Sequence, residues 1–455
     1  MNDFDFTVPV LVAGGGACGA VAALAAADAG VTPLVIDRND RAGGSTGMSQ
    51  GLFCAAGSES QKAHGIDDNP DIFFADIMAK ARGKTDPVIA RSIADNSAPA
   101  LEWLRNSHDL PWELDTSFRA SYGNSRARIH CWPGHSGLEM VQLLHRRMSD
   151  AGVDVLMETK LVDIYTGEDG RVTGIAVQRK NGEIERIGCE NLILACGGFG
   201  ANRQMTDLYM PETAMLKYNG HEGSDGEAIF LAERMGAKLG DMGSYQGYAM
   251  LTDPQGITVP PPIIIEGGVI VNISGDRFTD ESLDIAGMVH PVAQQPDGRC
   301  WVIYDEEIEA RCAHIPEMTM LNELNAPKQA ESTEDLARLI NVEPHKLVHA
   351  LTEAAAAASV GAADSFGRSW SDDRPPQGRL RALRVTGALY HTQGGLQIDG
   401  QARVLRGDGS AFPNLFAGGG SARSVSGPSS WGYLPAIGLT TAVVFGRQAG
   451  LASAA

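Results

Sequence analysis

The segment that most constrains the fold is a group of glycines that follows an apolar run at residues 10–13. Gly14, Gly16 and Gly19 have the spacing GxGxxG, an alanine-rich segment follows them, and a second apolar run ends on Asp37. This order predicts a strand, a tight turn, a helix and a second strand, with an acid that can accept hydrogen bonds from a ribose. The start of such a helix binds phosphates through its free N–H groups. The segment therefore predicts an α/β domain that binds a dinucleotide.

Length and charge limit the classes that remain. A chain of 455 residues is expected to form two or three domains, and its formal net charge of −19 argues against nucleic acid and anionic membranes as partners. The seven cysteines form no C-x-x-C pair, the first residues show no secretory signal, and no uncharged run reaches the length of a membrane span. We therefore expect a cytoplasmic protein without a disulfide framework or a membrane span.

The rest of the chain changes pattern several times. Residues 1–40 are typical of a β-α-β unit, and residues 70–105 and 137–151 are typical of helices that pack beneath a sheet. Residues 153–194 alternate in short segments separated by turns, which predicts a β-meander that ends in a buried strand. Residues 243–330 are rich in proline and glycine, so we expect a different kind of structure there.

Further motifs extend along nearly the whole chain. They are a loop of small residues at 41–51 and the segments 192–202, 223–226, 236–242, 267–272, 277–281, 332–368, 391–395, 414–419 and 445–450. In content and order these segments resemble the succinate dehydrogenase and fumarate reductase flavoprotein superfamily. The resemblance is to the branch that also holds 3-ketosteroid dehydrogenases and tricarballylate dehydrogenase.

The resemblance implies a particular fold and cofactor. It implies an α/β fold in which a Rossmann-like FAD-binding domain, of the glutathione reductase type, is interrupted by an inserted α+β cap domain. We expect the FAD-binding domain at residues 1–242 and 392–455, and the cap at residues 243–391. Because the loop 41–51 contains no histidine, FAD is expected to be bound non-covalently.

The residues expected to hold FAD come from the glycine motif and from the segments that resemble the superfamily. They are Gly14, Gly16, Ala17, Cys18, Gly19, Asp37, Arg38, Gly43, Gly44, Ser45, Thr46, Ser49, Gln50, Gly51, Ala195, Cys196, Gly197, Asp225, Gly394, Gly419, Gly420, Gly438 and Leu439. By the resemblance, the last helix starts near Gly438 and directs N–H groups at the flavin. The sequence shows no motif of a metal site.

The candidate catalytic residues are one histidine and three tyrosines. By the resemblance, His391 in the motif HTxGG lies beside the flavin and binds a substrate oxygen, and Tyr433 matches a tyrosine before the last helix of 3-ketosteroid dehydrogenases. Tyr248 and Tyr122 are further candidates. A phenol can donate a hydrogen bond to a carbonyl, or remove the adjacent proton where cations or donors lower its pKa. The alternative for each tyrosine is a structural role in the pocket wall.

Fumarate reductase binds and protonates its dicarboxylate substrate with two arginines and a histidine, by the resemblance. At the three matching positions of this sequence these side chains are missing. Ile285 stands in place of a proton-donating arginine, residues 426–438 contain no arginine, and Tyr248 takes the place of a histidine. Reduction of fumarate is therefore not expected.

These observations predict an FAD-dependent enzyme that dehydrogenates or reduces a C–C bond next to a carbonyl. The substrate would be a ring ketone, a ketosteroid-like compound or a keto acid, with hydride exchange at flavin N5 and proton transfer by tyrosine and histidine. The predicted partners are this small molecule and an electron acceptor or donor. One alternative is a di- or tricarboxylate enzyme that holds its substrate with Arg126 or Arg128. Another is a flavin-binding protein without catalytic activity.

Overall fold

The computed structural model describes residues 4–371 and 373–455. Residues 1–3 and Asp372 lie outside the described residues. The predicted FAD-binding segment 1–242 and the N-terminal stretch without a secretory signal both begin with residues 1–3. Within the described part, no helix has both the length and the apolar character needed to cross a membrane. The cytoplasmic location stays a prediction.

The strands of the described residues are, in chain order, β1 (Phe6–Ala13), β2 (Leu34–Ile36), β3 (Phe53–Cys54), β4 (Glu113–Leu114), β5 (Ile129–Cys131), β6 (Asp154–Leu156), β7 (Thr159–Thr166), β8 (Val172–Arg179), β9 (Ile184–Leu194), β10 (Lys217–Tyr218), β11 (Leu239–Gly240), β12 (Tyr245–Thr252), β13 (Val269–Asn272), β14 (Arg299–Asp305), β15 (Lys328–Ala330), β16 (Leu380–Thr392), β17 (Gly395–Leu396), β18 (Arg403–Leu405) and β19 (Ala411–Ala417).

The α-helices of the described residues are α1 (Ala17–Asp28), α2 (Gly44–Gly47), α3 (Glu59–Ala63), α4 (Pro70–Lys80), α5 (Pro87–His108), α6 (Gly137–Asp150), α7 (Arg203–Tyr209), α8 (Glu227–Arg234), α9 (Pro262–Ile265), α10 (Val289–Ala293), α11 (Glu306–Cys312), α12 (Pro316–Glu323), α13 (Thr333–Leu339), α14 (Pro344–Ser359) and α15 (Ile437–Ser453). The helices predicted at 70–105 and 137–151 are confirmed. The first consists of two helices, because Asp86 caps α5 by accepting a hydrogen bond from the Val88 N–H.

The larger sheet contains the predicted β-α-β unit. Its strand order is β18-β19-β9-β1-β2-β6, with β8 also paired to β9 and β7 paired to β8. Strand β1 lies parallel to both β2 and β9. Residues 10–13 of β1 are completely buried, as expected of a parallel strand whose two faces are both covered. The predicted α/β fold class is confirmed.

The predicted β-meander is confirmed with one difference. Strands β7, β8 and β9 pair antiparallel in succession. The last strand of the meander and the buried strand are, however, one strand, β9, which pairs with β8 over residues 184–188 and lies parallel to β1 over residues 187–194. This continuity joins the meander rigidly to the dinucleotide-binding unit.

Helices α1 and α15 contact each other at backbone distance. A Cβ atom added to Gly446 would lie 2.4 Å from the carbonyl oxygen of Cys18, and one added to Gly450 would lie 2.2 Å from that of Ala22. Only glycine permits this approach. The contacts advance along both helices in the same direction, so the two helices run parallel and their N-termini lie at the same end of the sheet.

A second sheet is built mainly by residues 245–392. Its order is β10-β16-β14-β13, and β12 and β15 also pair with β16. Helices α13 and α14 pack on this sheet through an apolar cluster that includes Trp301, Leu336 and Leu347. Strand β10 joins this sheet although it precedes residue 243, and the predicted domain limits at residues 242 and 391 stay a prediction.

A buried group of charges connects the elements of the second sheet. Glu281 accepts hydrogen bonds from Arg277 at 2.8 and 2.9 Å, from Arg368 at 3.2 Å and from the backbone N–H of Ile270 at 3.1 Å. Asp364 lies 2.7 Å from the other side of the Arg277 guanidinium. The side chains of these four charged residues are at most 1% exposed. Each buried charge is thus matched, and loss of Glu281 would leave two buried guanidinium groups, those of Arg277 and Arg368, with one carboxylate fewer.

We expect the Glu281→Ala variant to lose about 3–5 kcal/mol of the free energy of unfolding, because two guanidinium groups would stay buried beside a cavity. Glu334, an exposed residue in the first turn of α13, provides the matched control, and Glu334→Ala should change this free energy by less than about 1 kcal/mol. Urea denaturation of both variants measures the difference. Equal stabilities of the two variants would contradict the role of Glu281.

Candidate active site

A groove with an open volume of about 1260 Å³ lies where β1, β2 and β9 end. This is the edge at which open α/β sheets bind their ligands. The structure brings most of the predicted cofactor residues together here. Those that line the groove are Gly14, Gly16, Ala17, Cys18, Asp37, Arg38, Gly44, Ser45, Thr46, Ser49, Ala195, Cys196, Gly197, Gly419, Gly420, Gly438 and Leu439.

The turn after β1 needs its glycines for different reasons. Gly14 has a φ of 107°, and a Cβ atom there would lie 2.2 Å from the carbonyl oxygen of Ala195. A Cβ on Gly19 would lie 1.8 Å from the carbonyl oxygen of Gly14, so Gly19 allows α1 to pack on the turn and does not line the groove. Gly16 caps α1 without a side-chain hydrogen bond. The turn therefore leaves backbone N–H groups at the start of α1 beside the groove.

Asp37 is tied to the same turn. Its carboxylate accepts hydrogen bonds from the backbone N–H of Gly15 at 2.7 Å, and from the backbone and side-chain nitrogens of Asn39 at 2.8 Å each. The Gly15 carbonyl oxygen lies 2.7 Å from Nε2 of His145. Asp37 thus fixes the glycine turn in addition to the ribose contact predicted for it. The contribution of His145 was missed, since it comes from α6, far away in the sequence.

The residues that line the groove are suited to FAD, because they include helix N-termini and small side chains. Helices α1 and α15 both begin at it, and the N-cap residue of neither helix makes a side-chain hydrogen bond. One N–H at each start is bonded by a side chain from elsewhere, since the Ala17 N–H donates to the Thr46 hydroxyl at 2.9 Å and the Gly438 N–H donates to the Tyr433 hydroxyl. Such ends bind phosphates and stabilise negative charge on a bound ring. Small residues leave room close to the backbone, as at Gly420, where a Cβ would lie 2.5 Å from the backbone nitrogen of Gly198.

Six predicted cofactor residues do not line this groove, namely Gly19, Gly43, Gln50, Gly51, Asp225 and Gly394. Asp225 accepts a hydrogen bond at 2.8 Å from Arg38, which does line it. Gln50 lines a neighbouring cavity. Gly51 accepts a hydrogen bond from the Trp112 indole at 2.7 Å, and a Cβ on Gly394 would lie 2.3 Å from the carbonyl oxygen of Asp241. Gly51 and Gly394 therefore serve close packing of the backbone.

The groove also contains charged residues that sequence reasoning missed. Nζ of Lys160 lies 3.4 Å from Asp225 and 3.5 Å from Glu227. Burial raises the pKa of Glu227 to about 7, while Lys160 and Arg38 oppose that shift. Lys160 lies at the start of β7, where no local motif marks it. Only the pairing of the meander with the rest of the sheet brings it to the groove.

The second cavity adjoins the groove and has an open volume of about 1720 Å³. All four predicted catalytic residues line it, namely Tyr433, His391, Tyr248 and Tyr122. Five residues line both the groove and the cavity, namely Ser45, Ser49, His221, His391 and Leu439. A ligand in the cavity therefore meets a cofactor in the groove at these five residues.

His391 lies at this junction because of the pairing between β12 and β16, in which it is opposite Gln246. Its Nδ1 lies 3.1 Å from Nε2 of Gln393. Its Nε2 lies 3.2 Å from the point that a Cβ on Gly438 would occupy, so glycine is needed there. Burial lowers the pKa of His391 to about 4. The imidazole is therefore neutral at physiological pH and has one N–H to donate.

Tyr433 lies beside His391, with the ring centroids 5.8 Å apart and nearly perpendicular. Its hydroxyl oxygen accepts a hydrogen bond from the backbone N–H of Gly438. That bond lowers the pKa of Tyr433, but burial is the larger effect and raises it above the usual value. The start of α15 therefore does not make a tyrosinate here. Tyr433 is a phenol whose proton is free to be donated.

The other tyrosines in the cavity differ in what their hydroxyls contact. The Tyr248 hydroxyl donates to the carbonyl oxygen of Val259 at 2.5 Å, so its proton is already held. Tyr390, which sequence reasoning missed, lies 2.5 Å from the Thr258 hydroxyl. The Tyr122 hydroxyl makes no hydrogen bond within the described residues. Burial raises the pKa of all three phenols.

The two arginines proposed for a carboxylate are not equivalent. Arg128 is completely buried and is held by Asp68 at 3.0 Å and by Asp76 at 2.6 Å, so it is structural. Arg126 and Arg128 both line the cavity. Within the described residues, Arg126 contacts the backbone oxygens of Asp67 and Ser125 and no carboxylate. Of the two, only Arg126 thus has an exposed guanidinium whose charge is not matched by a carboxylate.

We expect the Gly14→Ala variant to lose FAD, because its new Cβ would collide with the carbonyl of Ala195 and would be strained at a φ of 107°. Gly30→Ala is the control, since Gly30 also has a positive φ but has nothing within 4 Å of a new Cβ. The ratio of flavin absorbance to protein in the purified variants gives the FAD content. Full FAD content in Gly14→Ala would contradict the predicted role of the turn.

We expect His130 and His391 to lower the free energy of unfolding as the pH is lowered from about 6.5 towards 4, against an opposite contribution from Glu227, whose pKa is raised by burial to about 7. Burial lowers the pKa of both His130 and His391 to about 4, so the unfolded chain binds protons in this range while the folded chain does not. Each histidine contributes up to about 1.4 kcal/mol per pH unit. Urea denaturation at several pH values should show a shallower slope for His130→Gln than for the parent. An unchanged slope would contradict the assignment.

The comparisons with known proteins agree with this geometry. A family described as FAD binding domain matches residues 9–431. The chain is 27% identical over 446 residues to a probable fumarate reductase of Shewanella frigidimarina, covering 98% of this chain and 74% of that protein. It is 26% identical over 457 residues to a urocanate reductase of Eggerthella lenta, covering 98% of this chain and 75% of that protein.

Two solved structures show the same fold. The open conformation of a flavocytochrome c3 fumarate reductase superposes with a TM-score of 0.81 at 27% identity, covering 99% of this chain and 78% of that one. The 3-ketosteroid-Δ4-(5α)-dehydrogenase of Rhodococcus jostii superposes with a TM-score of 0.79 at 23% identity, covering 100% and 98%. The chain thus belongs to the FAD-binding family of the fumarate reductase and succinate dehydrogenase flavoprotein superfamily, and it is an FAD-dependent dehydrogenase or reductase of the class that acts on CH–CH bonds.

Proposed function

We propose that this enzyme exchanges hydrogen across a C–C bond next to the carbonyl group of a ring ketone or a related keto compound. The observation that carries the proposal is the pair of neutral donors, Tyr433 and His391, where the cavity meets the FAD groove. Bound FAD supplies the hydride acceptor or donor. The partners proposed are a small carbonyl substrate and a separate electron donor or acceptor.

Tyr433 and His391 are suited to holding a carbonyl oxygen. The Tyr433 oxygen already accepts from the Gly438 N–H, so its own proton is available to a ligand. A hydrogen bond to the carbonyl withdraws electrons from the neighbouring carbon and stabilises the enolate that forms there. The site excludes much of the solvent, which strengthens such bonds.

We propose that Tyr122 transfers the proton at the carbon next to the carbonyl. Its hydroxyl has no protein partner within the described residues, whereas the Tyr248 proton is held by Val259. The raised pKa of Tyr122 keeps its phenol protonated at physiological pH. Tyr122 therefore holds a proton that it can give to the enolate carbon in the direction of reduction.

The wall of the cavity supports an uncharged substrate with a substantial apolar surface. Phe118, Ile265, Ile285, Ile315 and residues 260–262 contribute apolar atoms to it. Ile285 lines the cavity at the position that resembles the arginine of fumarate reductase. An apolar residue there gains nothing from a carboxylate and favours hydrocarbon.

A carboxylate substrate is the second candidate, and one residue favours it. Arg126 lines the cavity without a carboxylate partner in the described chain, and several relatives at 26–27% identity are reductases of unsaturated acids by name. If this candidate is right, Arg126→Gln should abolish inhibition by small dicarboxylates. If the ketone proposal is right, dicarboxylates should bind poorly to both forms.

We expect the Tyr433→Phe variant to lower turnover at least about 100-fold, because it removes the hydrogen-bond donor and leaves the ring in place. FAD should stay bound, since Tyr433 does not line the FAD groove. Tyr165→Phe, on β7 and outside the cavity, is the matched control and should keep parental turnover. Near-normal turnover in Tyr433→Phe would remove this residue from the mechanism.

The substrate class is tested by an anaerobic absorbance titration with cyclic ketones, steroids and carboxylates. Oxidised flavin absorbs near about 450 nm, a property of the cofactor, and the titration is repeated with chemically reduced protein and unsaturated analogues. Bleaching by a saturated ketone, or reoxidation by an enone, would support the proposal. A response to carboxylates alone would replace it with the second candidate.

A further inference from the structure

The Nδ1 edge of His391 contacts a glutamine, Gln393, which also lines the FAD groove. Nε2 of Gln393 lies 3.1 Å from Nδ1 of His391, and Oε1 of Gln393 accepts a hydrogen bond from the Ser426 hydroxyl at 3.0 Å. Gln393 and Ser426 are almost completely buried, with exposed fractions of 5% and 2%. The backbone N–H of Gln393 donates to the carbonyl of Ser244 at 2.7 Å, which fixes the start of the side chain.

The surroundings determine which way the Gln393 amide points. The carbonyl oxygen of Thr392, which can only accept, lies 3.5 Å from the atom assigned as Nε2. An amide oxygen in that place would repel this carbonyl, whereas an amide nitrogen is attracted to it. On the other side, the Ser426 hydroxyl donates to the amide oxygen. The amide N–H therefore points at Nδ1 of His391 at 3.1 Å. The Thr392 carbonyl oxygen also lies 3.4 Å from Nδ1, but the shorter contact with the amide N–H favours Nδ1 as an acceptor.

We propose that Gln393, oriented by Ser426, is a positioning residue that keeps His391 in the tautomer with its proton on Nε2. An imidazole that accepts at Nδ1 carries its single proton on Nε2. The Nε2 edge faces the start of α15 at Gly438, at the junction of groove and cavity. The catalytic value of this tautomer rests on the proposed function, in which His391 donates to a carbonyl oxygen. The assignment of the tautomer is independent of the proposed function.

Burial strengthens the effect of this contact. Because the pKa of His391 is lowered to about 4, the imidazole is neutral at pH 7 and a single tautomer has to be chosen. Without an acceptor or donor at Nδ1 both tautomers would be populated, and a fraction of the molecules would present a lone pair to the substrate oxygen. Tyr433 is the titratable side chain whose ring contacts His391, and it too is uncharged at this pH.

The tautomer is measured directly by long-range ¹H–¹⁵N correlation NMR of the FAD-loaded protein labelled with ¹⁵N-histidine. A His391→Asn variant identifies the His391 signals by their loss. We expect a protonated Nε2 and an unprotonated Nδ1 at pH 7. A protonated Nδ1 in the parent protein would overturn the proposal, whatever the substrate is.

Two substitutions at Gln393 separate positioning from packing. Gln393→Glu places an acceptor at Nδ1, so Nδ1 should become protonated and kcat should fall about 100-fold or more. Gln393→Met keeps the length of the side chain without the donor, so the His391 signals should show a mixture of tautomers. Gln329→Glu, at an exposed position on β15, makes the same change of charge elsewhere and should leave the His391 signals and kcat unchanged.

The outcomes distinguish this proposal from the proposed function. If both Gln393 variants kept the parental tautomer, the positioning role would be wrong even if ketones were turned over. If the tautomer changed as expected while no carbonyl compound reacted with the parent protein, the positioning role would stand and the proposed function would fail. Because Gln393→Met buries no new charge, it still tests the proposal if Gln393→Glu does not fold.

Discussion

The site depends on the parallel contact between α1 and α15. Glycines at 446 and 450 let the two helices approach until a Cβ would overlap a carbonyl oxygen, so their relative position is fixed by the backbones themselves. Both helices therefore begin at the same edge of the sheet, and the N-cap residue of neither helix makes a side-chain hydrogen bond. Two positive helix ends converge on one groove, which suits an anionic dinucleotide and a ring that becomes negative on reduction.

The same contact determines which protonation states the cavity can use. Tyr433 and His391 lie against the start of α15, where packing is too close for water to surround them. The N–H of Gly438 does stabilise the Tyr433 oxygen, but burial costs a charged phenolate more than one hydrogen bond returns. The outcome is a pair of neutral donors, Tyr433 and His391, where the cavity meets the groove. In the proposed function this pair would polarise a carbonyl without placing a full charge next to the flavin.

The sequence predicts well those features that are local. The glycine turn, α1, β2 and Asp37 lie within forty residues, and each needs a residue type that few other folds would place there. The capped helix starting at residue 333 is equally local, because the Ser332 hydroxyl accepts from the N–H of Asp335. Contacts that join distant segments could not be predicted from single motifs. Examples are the pair Gln50–Glu317, at 2.7 Å, and His145 beneath the glycine turn.

The arginines show why residue type alone is a poor guide to substrate charge. The motif around residue 277 supplies an arginine, but Glu281 and Asp364 bind it, and Asp68 and Asp76 bind Arg128 in the same way. A guanidinium held by two carboxylates has no net positive charge left to attract an anionic ligand. The positive charges of Arg277 and Arg128 are therefore used inside the protein, whereas Arg126 lines the cavity without a carboxylate partner in the described chain. What a substrate meets in the cavity is set by this arginine together with the phenols and aliphatic side chains of the wall.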